Sequence, residues 1–267
     1  MANEIPISEA DAYGSPQPII RTIGWTDLKE ALADGLDDFK EMPTHLAYLC
    51  VIYPFIMLVL ARTYAEYEVL PLVFPFLAGY TLIGPLVATG MYELSRRREQ
   101  GLDTSRIHAF DAFRSPAFGS ILTLGILLLA VYFAWLAAAQ AIYGQYIGAS
   151  VPESVAGFVT QIISTPEGWM MIVIGNGIGL IFAALALSLS VVSFPMLLDR
   201  NVGVAMAVQT SIRAVLANPV TMAMWGLVVA VMLFIGALPF FIGLAVVLPL
   251  LGHATWHLYR RVVELPD

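Results

Sequence analysis

Residues Trp169–Leu197 read WMMIVIGNGIGLIFAALALSLSVVSFPML, without one charged side chain. So long an apolar stretch exceeds the roughly 20 residues a helix needs to cross about 30 Å of hydrocarbon. Backbone N–H and C=O groups find no water there, so the segment must satisfy them internally, as a helix. Working outward, comparable runs lie at Leu46–Arg62, Val69–Tyr92, Phe118–Ile142, Val220–Ala237 and Phe240–Trp256, which predicts six crossings. With six, both termini fall on the same face. Placing that face in the cytoplasm puts Arg21, Lys29, Lys40, Arg96, Arg97, Arg98, Arg106, Arg114, Arg200, Arg213, Arg260 and Arg261 inside and leaves Arg62 alone outside, as the positive-inside rule requires.

Composition agrees. A hydrophobic fraction of 59 %, a mean hydropathy of +0.79 and a charged fraction of 12 % exclude an ordinary water-soluble domain. The net charge of −7 does not mark a nucleic-acid or basic partner, because sixteen of the twenty acids share the arginine-rich side as a mixed, solvated surface. A single cysteine, Cys50, can form no internal disulfide. The first 24 residues have no apolar region of signal-peptide type, so the first span is expected to act as the insertion signal.

Between the spans, three stretches on the inner side have the spacing of one-sided helices. Thr26–Glu41 aligns Leu28, Ala31, Leu32, Leu36 and Phe39; Thr104–Ser115 aligns Ile107, Phe110 and Phe113; Val202–Asn218 aligns Val204, Val208, Ile212, Val215 and Leu216. Each ends at a proline, Pro43, Pro116 or Pro219, that suits the first turn of the following span. The expected fold is therefore all-α and polytopic: six transmembrane helices in three hairpins, each preceded by a short amphipathic helix. Residues 1–25 form a polar N-terminal segment, and 26–267 form one domain with a threefold repeat over 26–98, 104–200 and 202–261. On the outer face, Pro152–Thr165 is expected to form a surface helix.

Few residues carry chemistry. His253 and His257 stand one helical turn apart, a spacing at which two imidazoles can share a metal, yet a closed site needs two further ligands. The bland reading is an interfacial polar belt with Trp256 and Tyr259, so neither a cofactor nor a metal is expected. Glu93, Arg96, Asp199, Arg200, Arg213, His257 and Arg260 fall at the inner ends of spans and are expected to form an ion-pair cluster. Gln140, Asn176 and Ser188 are the main polar groups deep in the spans, which carry no charge; an ion- or proton-coupled pump would normally place one there. Gly175, Gly179 and Ala183 give the fourth span a smooth packing face. The first amphipathic helix is acidic, with Asp27, Glu30, Asp34, Asp37, Asp38 and Glu41, so a basic surface has to hold it; Arg96–Arg98 is the nearest.

Gly24–Phe39, the FPMLLDR run Phe194–Arg200, Asn218-Pro219 with Trp225-Gly226, and above all Gly252-His-Ala-Thr-Trp-His-Leu-Tyr-Arg260 resemble an uncharacterised family of bacterial integral membrane proteins, domain of unknown function 2189. The resemblance implies a six-helix protein of the inner membrane and supplies no activity. No copper or haem ligand constellation of an oxidase catalytic subunit is present. The expected role is that of a non-enzymatic accessory subunit or assembly and stabilising factor of a larger respiratory or photosynthetic complex, partnered by lipid and other membrane subunits. The competing role is a transporter or lipid-handling protein for a neutral or amphipathic molecule, which requires Asn176 or Gln140 to face a cavity.

Overall fold

The computed structural model describes residues 18–42, 67–79, 84–148, 154–200, 202–239 and 241–264. The expected first span, with Pro43, His45 and Cys50, lies outside them. The described chain is nearly all helical: α1 Trp25–Glu41, α2 Val73–Gly79, α3 Gly84–Val87, α4 Thr89–Glu99, α5 Phe118–Tyr146, α6 Val155–Ser164, α7 Pro166–Ser190, α8 Ser193–Asp199, α9 Val204–Ala217, α10 Pro219–Ala237 and α11 Leu244–Val262. Short 3-10 helices occupy Tyr67–Leu72 and Arg106–Arg114.

Three of the expected crossings are helices long and apolar enough to span a membrane: α5, α7 continued by α8 as far as Asp199, and α10. The other two described crossings differ from expectation. Within Val69–Tyr92, of which residues 80–83 are not described, the chain forms the 3-10 turn, α2, α3 and α4. Pro71, Pro75 and Pro85 fall in these short elements, where proline has no N–H to donate to the preceding turn. Two carbonyls of α2 accept from aromatic donors on α5: Trp135 Nε1 donates to the Pro75 oxygen at 3.1 Å and the Tyr132 hydroxyl to that of Phe76 at 3.4 Å. The expected sixth span, Phe240–Trp256, is displaced towards the C-terminus as α11, whose last turns bury polar residues against protein.

Packing concentrates at the arginine-rich end. Trp225, Trp256, Tyr92, Tyr259 and Phe194 are fully buried there, as are Val192, Met196 and Leu197 where α7 passes into α8. Towards the other end the helices expose Ile126, Phe133, Val173, Leu180, Ile181, Leu227 and Phe234, a surface that is stable only in lipid. A helix forms within Pro152–Thr165, as expected. It is α6, capped by Ser154, whose Oγ accepts from Gly157 N–H at 3.1 Å, and its Phe158 ring rests 6.1 Å from that of Tyr143.

The amphipathic stretches turn differently from the expected stripes. α1 buries Leu28, Ala31, Gly35 and Asp38 and leaves Leu36 exposed. Its buried face lies along α11, so close that a Cβ at Gly35 would stand 2.6 Å from the Ala254 backbone nitrogen. α9 likewise buries Ala207, Thr210, Ser211 and Ala214 and turns Leu216 outward, because small residues allow close helix approach in an apolar solvent. Arg106–Arg114 is a 3-10 rather than an α-helix. Ile107, Phe110 and Phe113 recur every third residue, the period at which 3-10 side chains eclipse, and they form an exposed apolar edge.

Among the described residues, strand structure comes from the N-terminal segment and the chain's C-terminal end. β1 Ile19–Ile20 pairs antiparallel with β2 Val263–Glu264, in the register Ile19–Glu264 and Ile20–Val263. Asn218, at the α9–α10 junction, extends the tether. Its Oδ1 accepts from Ile23 N–H at 2.8 Å and its Nδ2 donates to the Arg21 carbonyl at 3.0 Å.

Candidate functional site

α1, α4 and α11 meet around Asp38, whose side chain is 3 % exposed. Its position follows from local sequence: Ala31, Gly35 and Asp38 share one face, and once Gly35 lets that face reach α11, the carboxylate a turn later is carried into the bundle. An isolated buried carboxylate is costly, so it has to collect donors. Asp38 Oδ2 accepts from the Ser95 hydroxyl and from His257 Nε2 at 2.8 Å, while Oδ1 accepts from Arg98. Burial alone raises the pKa of this carboxyl; the hydrogen bonds from His257, Ser95 and Arg98 outweigh that effect and hold it at about 2.

His253 completes the cluster from one turn earlier on α11. Its Nδ1 lies 2.7 Å from Ser95 Oγ, and the ring is fully buried. The single Ser95 proton goes to Asp38, which assigns the Nδ1–H tautomer to His253 and leaves Nε2 as a bare acceptor. That Nε2 is the buried side-chain polar atom with no hydrogen-bond partner among the described residues. Here serine bridges aspartate and histidine, whereas a Ser-His-Asp triad places histidine between the other two.

Further ion pairs ring this centre. Arg96 holds Glu93 through two bonds of 2.9 Å, and Arg97 stands 3.8 Å from the same carboxylate. Asp199 accepts from the Tyr259 hydroxyl at 2.9 Å, with Arg260 at 3.5 Å and Arg200 at 3.9 Å. Arg260 also joins Glu99 at 3.0 Å, whose other oxygen accepts from Trp256 Nε1 at 3.1 Å. Arg261 ties down the acidic edge of α1 through Asp34 at 2.9 Å and Glu30 at 3.3 Å. On the 3-10 helix, His108 sits between Asp111 at 2.6 Å and Asp103 at 3.0 Å; the hydrogen bond to Asp111 is the main reason its pKa is raised.

Glu93, Arg96, Asp199, Arg200, His257 and Arg260, all expected in the ion-pair cluster, lie in this set of contacts; Arg213, which has a partner of its own, also lines an apolar groove of about 560 Å³ with Leu127, Val208 and Ile212. His253 and His257 do converge on a carboxylate, as hydrogen-bond partners of the Asp38 cluster; among the described residues no group of three His, Cys, Asp or Glu is placed to hold a metal ion. Of the smooth face on α7, Gly179 packs under the Trp135 ring, whereas nothing lies within 4 Å of a Cβ at Gly175 and Ala183 is exposed. Gln140 and Asn176 are exposed as well. Asp38, Ser95 and Arg98 stand at the centre yet lie outside the expected cluster. The signal that could have found Asp38 is its spacing of three from Gly35 and seven from Ala31.

The long apolar helices and the internally bonded polar cluster define an integral membrane protein. Residues 73–199 match the family model described as predicted integral membrane protein (DUF2189), the family the sequence resembles. The match is narrower than that resemblance and does not extend over the Gly252–Arg260 run. No curated protein and no solved structure matches the chain.

Proposed function

We propose that the chain is a non-enzymatic protein of the bacterial inner membrane, an accessory subunit or assembly and stabilising factor of a larger respiratory or photosynthetic complex. In this reading it crosses the membrane six times in three hairpins, repeats over 26–98, 104–200 and 202–261, and keeps both termini in the cytoplasm. The observation that carries the proposal is how the polar groups are used. Asp38 receives three donors, Glu93 a bidentate arginine, and Asp199 a tyrosine with two arginines nearby. Groups so engaged brace helices and are not poised to react with a substrate. Meanwhile α7 buries only 6 % of its apolar stretch, a surface suited to lipid and to other membrane helices. The test is gentle solubilisation, affinity capture and mass spectrometry. One reproducible set of co-purifying membrane subunits is expected; recovery of the chain with no foreign protein would defeat the proposal.

A further inference from the structure

The 3-10 helix Arg106–Arg114 sorts its side chains into columns, because residues three apart eclipse. One column is the exposed apolar edge. A second packs inward: Ala112 is buried, and a Cβ at Gly90 of α4 would stand 3.1 Å from the Ala109 carbonyl oxygen. The third is charged and consists of His108, Asp111 and Arg114. His108 Nδ1 lies 2.6 Å from Asp111 Oδ2 and its Nε2 lies 3.0 Å from Asp103 Oδ2. A carboxylate oxygen only accepts, so both ring nitrogens have to donate, and only the imidazolium can do that. Neither acid supplies the proton instead. The Ser105 backbone N–H is the main group holding the Asp103 carboxyl below its ordinary range, and the bond from His108 is the main one doing so for Asp111. Among the described residues the charged groups around His108 are Asp103 from the preceding loop, Asp111 and beyond it Arg114 from its own helix, and Arg97 from α4. Arg97 Nη1 stands 3.5 Å and Arg114 Nη1 3.4 Å from Asp111, both farther away than the imidazole.

We propose that this column is a proton-operated latch at the arginine-rich end: with His108 charged it holds residues 102–115 as a 3-10 helix on α4, and loss of that proton under alkaline conditions opens it. A neutral ring has one nitrogen without hydrogen, and that lone pair would face a carboxylate at 3.0 Å or less. The segment has little in reserve against this, because i→i+3 backbone bonds are poorly aligned and a 3-10 helix leans on its side-chain contacts. The acids stay ionised and the arginines stay charged from about pH 6 to pH 9, so His108 is the member of the group that titrates there. Its pKa is raised above 6.5, chiefly by the hydrogen bond to Asp111. The latch is therefore fully closed below pH 6.5 and opens as pH rises through the higher folded value. This inference stands independently of the accessory-subunit proposal.

The test is hydrogen exchange of the full chain in lipid nanodiscs, read by mass spectrometry as the protection of residues 102–115 relative to the intrinsic rate at each pH. Between about pH 6 and pH 9 this protection is expected to fall about threefold in wild type, the scale of an exposed ion pair. His108→Lys, whose ammonium stays charged through the range, should keep the acid-side level, and His108→Gln, which carries no charge, should show the alkaline level throughout. Protection that is indifferent to pH in wild type overturns the inference. So does a fall in either variant as large as that in wild type. A second measurement titrates the His108 ring by NMR, its signal assigned by its loss in His108→Gln. The midpoint should lie above 6.5 and move down in Asp111→Asn, whereas a midpoint at or below 6.5 overturns the inference as well.

Discussion

His257 Nε2 on α11 meets Asp38 Oδ2 on α1 at 2.8 Å, across 219 positions of sequence. This bond closes the molecule. It joins the first described helix to the last, next to the two-stranded pairing of Ile19–Ile20 with Val263–Glu264. An acidic amphipathic helix that would be repelled from an anionic leaflet thereby becomes part of the bundle, held by Arg98, His257 and Arg261.

Asp38→Ala is expected to lower stability by about 3 kcal/mol, because it removes one member of a buried, hydrogen-bonded charge cluster and leaves Ser95, His257 and Arg98 without their common acceptor. Unfolding in mixed micelles measures it. Asp37→Ala, an exposed neighbour paired with Lys40, is expected to change little.

Acid should loosen the same contact. The carboxyl of Asp38 has a folded pKa of about 2 against 3.8 for the free side chain. Its stabilising contribution is therefore complete above about pH 4 and is lost as pH falls from there towards 2. The protection of α1 amides against hydrogen exchange, taken relative to the intrinsic rate at each pH, should fall in wild type over this range. In Asp38→Asn the part of that fall due to residue 38 should vanish.

Gly35→Val is expected to cost about 2 kcal/mol or more, since its first added carbon would stand 2.6 Å from the Ala254 backbone nitrogen and two helices would have to separate. Gly24→Ala, with Asp27 Oδ2 at 3.9 Å as its nearest neighbour, is the matched control and should be nearly neutral by the same unfolding assay.

Much of this architecture was legible in the sequence, for a physical reason. Hydrocarbon forces long apolar runs into helices, so α5, α7 and α10 announce themselves without tertiary context. Periodicity also located α1 and α9, but not which face each buries. Apolar stripes assume that the buried face is the greasy one, whereas α9 packs through Ala207, Ser211 and Ala214, and α1 through Gly35 and a carboxylate. A turn-spaced histidine pair was visible; that Asp38 and Ser95 lie between them is long-range information absent from any local window. Pro71, Pro75 and Pro85 were equally visible, but not that Trp135 and Tyr132 on α5 donate to the Pro75 and Phe76 carbonyls.

Asn218→Ala should release the N-terminal segment. Its side chain accepts from Ile23 N–H and donates to the Arg21 carbonyl, so its loss is expected to cost about 1–2 kcal/mol and to raise exchange at residues 19–24, leaving α5 unchanged. Residue-resolved hydrogen exchange reads both.

The docking of α1 into the bundle through its buried carboxylate is tested most directly by a double-mutant cycle between Asp38 and His257, using Asp38→Ala, His257→Ala and the pair. A coupling energy of about 1–3 kcal/mol is expected for a charge-assisted bond in a buried setting. Additivity within about 0.5 kcal/mol would contradict it, because two residues that add in this way do not share the contact on which the docking of α1 rests.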